Sequence, residues 1–80
     1  MALFSLNLSL QAQNVIIADD DSFSAHNSAM LHVESLNKGF LIPRLTELQR
    51  DAIVSPAEGL IIYQTNNTPG IYIYQSGWIL

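Results

Sequence analysis

Apolar and polar residues alternate along this chain in short blocks, and the period of the alternation changes where a helix is expected. At the start, Phe4, Leu6, Leu8, Leu10 and Ala12 alternate with Ser5, Asn7, Ser9, Gln11 and Gln13, the period of two that marks a half-buried strand. The same residues also read as the apolar stretch and small-residue end of a secretory signal, cleaved near Ala12 or Gln13, although the basic residues that normally precede such a stretch are missing. Residues 1–13 are therefore expected to be a signal-peptide remnant or an N-terminal strand. Asn14–Ala18 predicts a short strand, and Asp19–Asn27 is a polar break of turn-forming residues. Ser28–Glu34 alternates again and predicts a second strand. Phe40–Ile42 is expected to be extended, with Pro43 keeping Ile42 out of the helical region.

The period then lengthens. Thr46 and Gln49 have the spacing of a capping box, and Glu47 suits the positive end of a helix. A helix over about 47–54 is predicted, with Leu45, Leu48 and Ala52 forming its packed stripe and Arg50 and Asp51 pointing away. Pro56 and Gly59 end it. So short a helix has to pack on strands to persist. Leu60–Thr65 and Ile71–Gln75 are β-branched and aromatic and predict the strongest strands, joined by a hairpin at Asn66–Gly70. Leu60–Tyr63 is apolar on both faces, which predicts burial on both sides. Ser76 and Gly77 turn the chain again and present Trp78. The expected fold is mainly β with one short α-helix, a small α+β arrangement of a hairpin plus additional strands. Residues 14–27 would form a short strand and linker ahead of a module over 28–80.

Composition sharpens this picture. An 80-residue chain buries roughly 60–65% of its unfolded surface and sits near the limit of independent stability. It has no cysteine, so neither a disulfide nor a thiolate metal site can reinforce it. All seven acids and three bases lie between Asp19 and Glu58; residues 59–80 carry no charge yet hold every tyrosine, the tryptophan and five isoleucines. Uncharged strands of this kind pair with other chains unless covered. The segment therefore predicts a homo-oligomer, intertwined or side by side. Its candidate interface comprises Leu60, Ile62, Tyr63 and Ile71, continuing through Tyr72, Ile73, Tyr74 and Trp78.

Candidate chemistry is sparse. A net charge of −4 with three bases argues against nucleic acid. The longest apolar run is too short and too interrupted to span a membrane. Asp19–Asp21 lacks the alternate ligand spacing and closing glutamate of a calcium loop. His26 and His32 are six residues apart and do not form a metal-binding pair, and no nucleophile elbow or phosphate-cradling loop occurs. No enzyme, metal or cofactor is expected. Arg44, after Pro43, is a candidate inter-chain clamp on a carboxylate or carbonyl of a neighbour. Tyr63, Tyr72, Tyr74 and Trp78 could alternatively present flat rings to a host-surface glycan or receptor.

The blocks Ser28–Leu31 (SAML), Lys38–Thr46 (KGFLIPRLT), Gln49–Ile53 (QRDAI), Ser55–Leu60 (SPAEGL), Tyr63–Thr65 (YQT) and Tyr72–Tyr74 (YIY), followed by Trp78, occur in an order that resembles a module of phage tail-fibre proteins and of large secreted surface proteins of Gram-negative bacteria. The resemblance covers about residues 24–80. It implies a trimeric structural or connecting piece with no catalytic residues. Asn66-Asn67 departs from the pattern, in which an acidic residue often follows the threonine. The resemblance implies an extracellular or cell-surface location, with the signal-like start favouring secretion, or alternatively a virion tail fibre.

Overall fold

The computed structural model describes residues 14–80, and the chain divides between Phe40 and Leu41 into two compact units. The expected signal remnant or strand over 1–13 lies outside the described residues. The boundary also differs from the expected one near Ser28. Strand β2 (Leu31–Glu34) is hydrogen-bonded to β1 (Val15–Ala18) and so belongs with what precedes it. The polar stretch between them serves as a crossover within one unit.

In the first unit, β1 and β2 pair in parallel with Val15 opposite Leu31 and Ala18 opposite Glu34. Parallel neighbours need a crossover of about a dozen residues or more, which Asp19–Met30 provides. Its polar side chains hold the turns. The Asp20 carboxylate accepts from the Ser22 backbone N–H at 2.8 Å and from the Ser22 hydroxyl. Asp19 accepts from the Ser35 hydroxyl at 2.8 Å and lies 3.7 Å from the Lys38 ammonium. Strand β2 begins later than predicted because Ser28 is turned back: its backbone N–H donates to His26 Nδ1, and the Ala29 N–H donates to the His26 carbonyl.

The second unit is a four-stranded sheet in the order β3-β4-β5-β6, comprising β3 (Arg44–Leu45), β4 (Ile61–Gln64), β5 (Gly70–Tyr74) and β6 (Trp78–Ile79). Helix α1 (Glu47–Asp51) lies in the crossover between the parallel strands β3 and β4; the remaining pairings are antiparallel. Phe40–Ile42, expected to be extended, joins no strand pairing among the described residues. The ladder starts one residue after it, where the Pro43 carbonyl accepts from the Tyr63 N–H at 2.9 Å. Gly70 lies at φ +156°, where a Cβ would stand 2.4 Å from Leu80 Cδ1, so the bare backbone makes room for Leu80.

The helix begins where the capping box places it. The Thr46 hydroxyl accepts from the Gln49 N–H at 3.2 Å, and Gln49 Oε1 accepts from the Thr46 N–H at 2.9 Å. It ends at Asp51 with Ala52 as C-cap, shorter than predicted, and Ser55 is already left-handed at φ 47°. Its orientation also differs from the prediction. Leu48 is 82% exposed and Ala52 is exposed, while Leu45, on β3, is half-buried. Glu47, Arg50 and Ile53, spaced i, i+3, i+6, are the half-buried positions instead. Helical residues three apart share a face, so two charged side chains, Glu47 and Arg50, occupy the stripe expected to be leucine and alanine.

Candidate functional site

Strand alternation gives the second sheet two different faces. The inner face carries Ile62, Gln64 and Tyr72, the side chains buried among the described residues, together with half-buried Tyr74 and Trp78. Strand β4 is thus buried on one side only, not both, because the five-residue helix covers a single face. Ile62 and Tyr72, expected at an interface between chains, are 3% and 8% exposed and are already enclosed by their own subunit.

Arg50 is the centre of this inner face. Its guanidinium carbon lies 5.2 Å from the ring centroid of Tyr72 and 5.6 Å from that of Trp78. Its Nη1 donates at 2.8 Å to Oε1 of Gln64, and Nε and Nη2 both donate to Oδ1 of Asp51 at 3.0 and 2.7 Å. Gln64, 1% exposed, donates in turn from Nε2 to the Asn66 carbonyl at 2.9 Å. A buried amide must have its polar atoms satisfied, and Arg50 satisfies the oxygen. Tyr74 meets Trp78 edge-on, with centroids 5.3 Å apart at 71°. The sequence reading sent Arg50 to solvent and gave Gln64 no role. A glutamine on an otherwise apolar strand, facing an arginine-bearing helix, was the available signal.

The outer face is different in kind. Ile61, Ile73 and Ile79 stand in one cross-strand row, and Tyr63 and Ile71 in the next. Ile61, Ile71 and Ile79 are 45%, 60% and 47% exposed, and Tyr63 and Ile73 are half-buried. Of the predicted interface, Tyr63, Ile71 and Ile73 fall here. Ile61 and Ile79, which the sequence reading left out, join them, and Leu60, 37% exposed, lies just before β4. Arg44 is opposite Tyr63 in register and extends that row, exposed and without a hydrogen-bond or ion-pair partner among the described residues. The face is charge-free apart from Arg44 at its margin.

The histidines make local bonds. His32 Nδ1 accepts from the His26 N–H at 2.9 Å, its Nε2 lies 2.7 Å from Glu34 Oε1, and His26 Nδ1 accepts from Ser28. Among the described residues no three such side chains are grouped to hold a metal ion, and no helix is long and apolar enough to cross a membrane.

Among the described residues the sheet leaves an apolar face open, with Arg44 at its margin, and turns its other polar chemistry inward, an arrangement suited to assembly. The chain belongs to the family described as the phage tail like trimerisation region, which matches residues 20–79, in agreement with the tail-fibre resemblance of its sequence blocks. Membership supports a structural, self-associating role in tail-like fibres. No curated protein and no solved structure is significantly similar to the chain.

Proposed function

We propose that the chain is a non-enzymatic module of an extracellular fibre or phage tail fibre, and that three copies join through the outer face of the β3–β6 sheet. The observation that supports this reading is how little apolar side chain the subunit buries. Among the described residues, Ile62 and Tyr72 are the buried hydrophobic side chains. Each contributes about 1.5–3 kcal/mol. A unit of this size is near the limit of independent stability, and two enclosed side chains give it a small core. Covering Ile61, Ile71 and Ile79 with the same face of neighbouring copies supplies apolar burial that the subunit lacks. Arg44, at the edge of that face, then reaches a carbonyl or carboxylate across the interface, where its planar fork gives direction as well as attraction.

A glycan- or receptor-binding role is not part of this proposal. Tyr72 is 8% exposed, and Arg50 lies over one ring face of both Tyr72 and Trp78, which leaves these rings little open surface to stack on a sugar.

The test is light scattering coupled to size-exclusion chromatography at micromolar concentration. The expected mass is three times the chain's 8.9 kDa, and Ile71→Asp, which places a charge on the outer face, is expected to abolish the trimer. A wild-type chain that runs as a cooperatively folded monomer overturns the proposal.

A further inference from the structure

The first unit carries a second uncovered face. In the parallel register Val15 lies opposite Leu31 and Ile17 opposite Val33, so these four side chains share one side of the β1–β2 pair. They are 54%, 54%, 58% and 39% exposed, whereas Ile16, Ala18, His32 and Glu34 on the other side are half-buried. Parallel strands are normally covered on both faces, and a two-stranded sheet is marginal in water by itself. Among the described residues nothing covers that side of the pair.

We infer that the Val15–Ile17–Leu31–Val33 strip packs against the same strip of the other copies, forming a second self-contact that assembles only after the β3–β6 sheets have trimerised. The inference rests on the proposed trimer and goes beyond it, since β1 precedes the residues matched to the family. Two physical arguments select another copy of this chain as the occupant. The strip is wholly aliphatic and uncharged, so it repels no copy of itself and offers a polar partner nothing to bond. Tethering then decides the order of events. A fully exposed aliphatic side chain has about 60–120 Å² to bury, so four half-exposed ones offer on the order of 200 Å² per chain. A stable association needs about 800 Å² per partner, so the strip cannot recruit a stranger from dilute solution. The first unit, however, is joined directly to the second at Phe40–Leu41. Once the second units are together, neighbouring strips meet at an effective concentration on the order of millimolar.

The chain has no cysteine, which makes a direct test clean. In the full chain, Ile17→Cys is expected to give a covalent dimer on a non-reducing gel under mild oxidation, because two Cα atoms about 5–6 Å apart can be bridged. Ile16→Cys, on the opposite side of β1, is expected to stay uncrosslinked. In parallel, hydrogen exchange of the Ile16, Ile17, His32 and Val33 amides is compared between the wild-type trimer and Ile71→Asp. Protection is expected to fall by about tenfold or more when the trimer is lost. A trimeric wild type in which Ile17→Cys fails to cross-link overturns this inference alone. So does a trimer whose β1–β2 amides are equally protected in monomeric Ile71→Asp, which would mean that the chain, through its own first thirteen residues or otherwise, holds the pair without neighbours. A monomeric wild type overturns the trimer and this inference together. Should Ile71→Asp not fold, the cross-linking pair still decides the question in an otherwise wild-type background.

Discussion

Arg50 holds together groups that come from three parts of the second unit: the helix, β4 and the aromatic pair on β5 and β6. Its side chain is 11% exposed, so its bonds form largely out of water. Replacing it with alanine strips the buried Gln64 oxygen of its donor, a loss of about 1–3 kcal/mol, and removes stacking contacts of about 0.5–2 kcal/mol. Arg50→Ala is therefore expected to destabilise the fold by on the order of 3 kcal/mol, measured as a shift in the unfolding midpoint at fixed protein concentration. Arg50→Lys keeps the charge but lacks the planar fork and is expected to recover less than half of that loss. Equal stability of the wild type and Arg50→Lys would show that only charge matters there. Asp20 gives a second prediction at this scale. Its bonds from the Ser22 hydroxyl and N–H hold the carboxyl below its ordinary value. A carboxylate depressed in the folded state stabilises it above the unfolded value near 3.9, and that contribution disappears as pH falls through the folded value. Ser22→Ala is expected to move the Asp20 titration upward toward the ordinary range in an NMR-followed pH series, and an unchanged midpoint would mean that the hydroxyl contributes nothing.

At the scale of elements, the start of the helix was legible and its orientation was not. Thr46 and Gln49 satisfy each other's backbone within four residues, so their chemistry is local and needs no tertiary knowledge. Which side of α1 meets the sheet depends on what waits there, and Gln64 draws in Arg50 at the expense of Leu48. Strand β4 was ambiguous for a related reason: Leu60–Tyr63 is apolar on both sides, so alternation alone could not say which side was inner. The two-residue strands β3 and β6 are too short to carry any period, and the parallel β3–β4 pairing leaves no local mark. The hairpin loop has a role that composition alone hid. Asn66 Oδ1 accepts from the Glu47 N–H at 2.8 Å, while Asn67, left-handed at φ 60°, donates from Nδ2 to the Glu47 carboxylate. The two asparagines, one accepting and one donating, should therefore respond differently to the same change. Asn66→Asp retains an acceptor for the helix N-terminus and is expected to shift stability by no more than about 0.5 kcal/mol. Asn67→Asp sets one carboxylate against another on an exposed surface and is expected to cost about 1 kcal/mol, read as a lower unfolding midpoint that rises again in high salt. Equal effects of the two would mean that the loop does not grip the helix in the observed manner.

For the whole molecule, the legible feature was the uncharged run from Gly59 to Leu80, because charge is visible without knowing the fold. The division of its side chains into enclosed and open sets was not, since Ile62 and Ile61 differ only in the direction a strand gives them. That division has a thermodynamic consequence. If Ile61, Ile71 and Ile79 find their cover only in other copies, then folding and association are one equilibrium, with three unfolded chains on one side and one trimer on the other. Mass action then makes the midpoint depend on concentration. Each tenfold dilution weakens the trimer by two factors of ten in the equilibrium, about 2.7 kcal/mol. With an unfolding enthalpy of about 0.7 kcal/mol per residue over three 80-residue chains, on the order of 170 kcal/mol in all, this lowers Tm by about 5 °C. Calorimetry or circular dichroism at two concentrations a decade apart measures the shift. A Tm that stays constant across that dilution belongs to a chain that folds alone, and would leave the open isoleucine rows without a structural role in assembly.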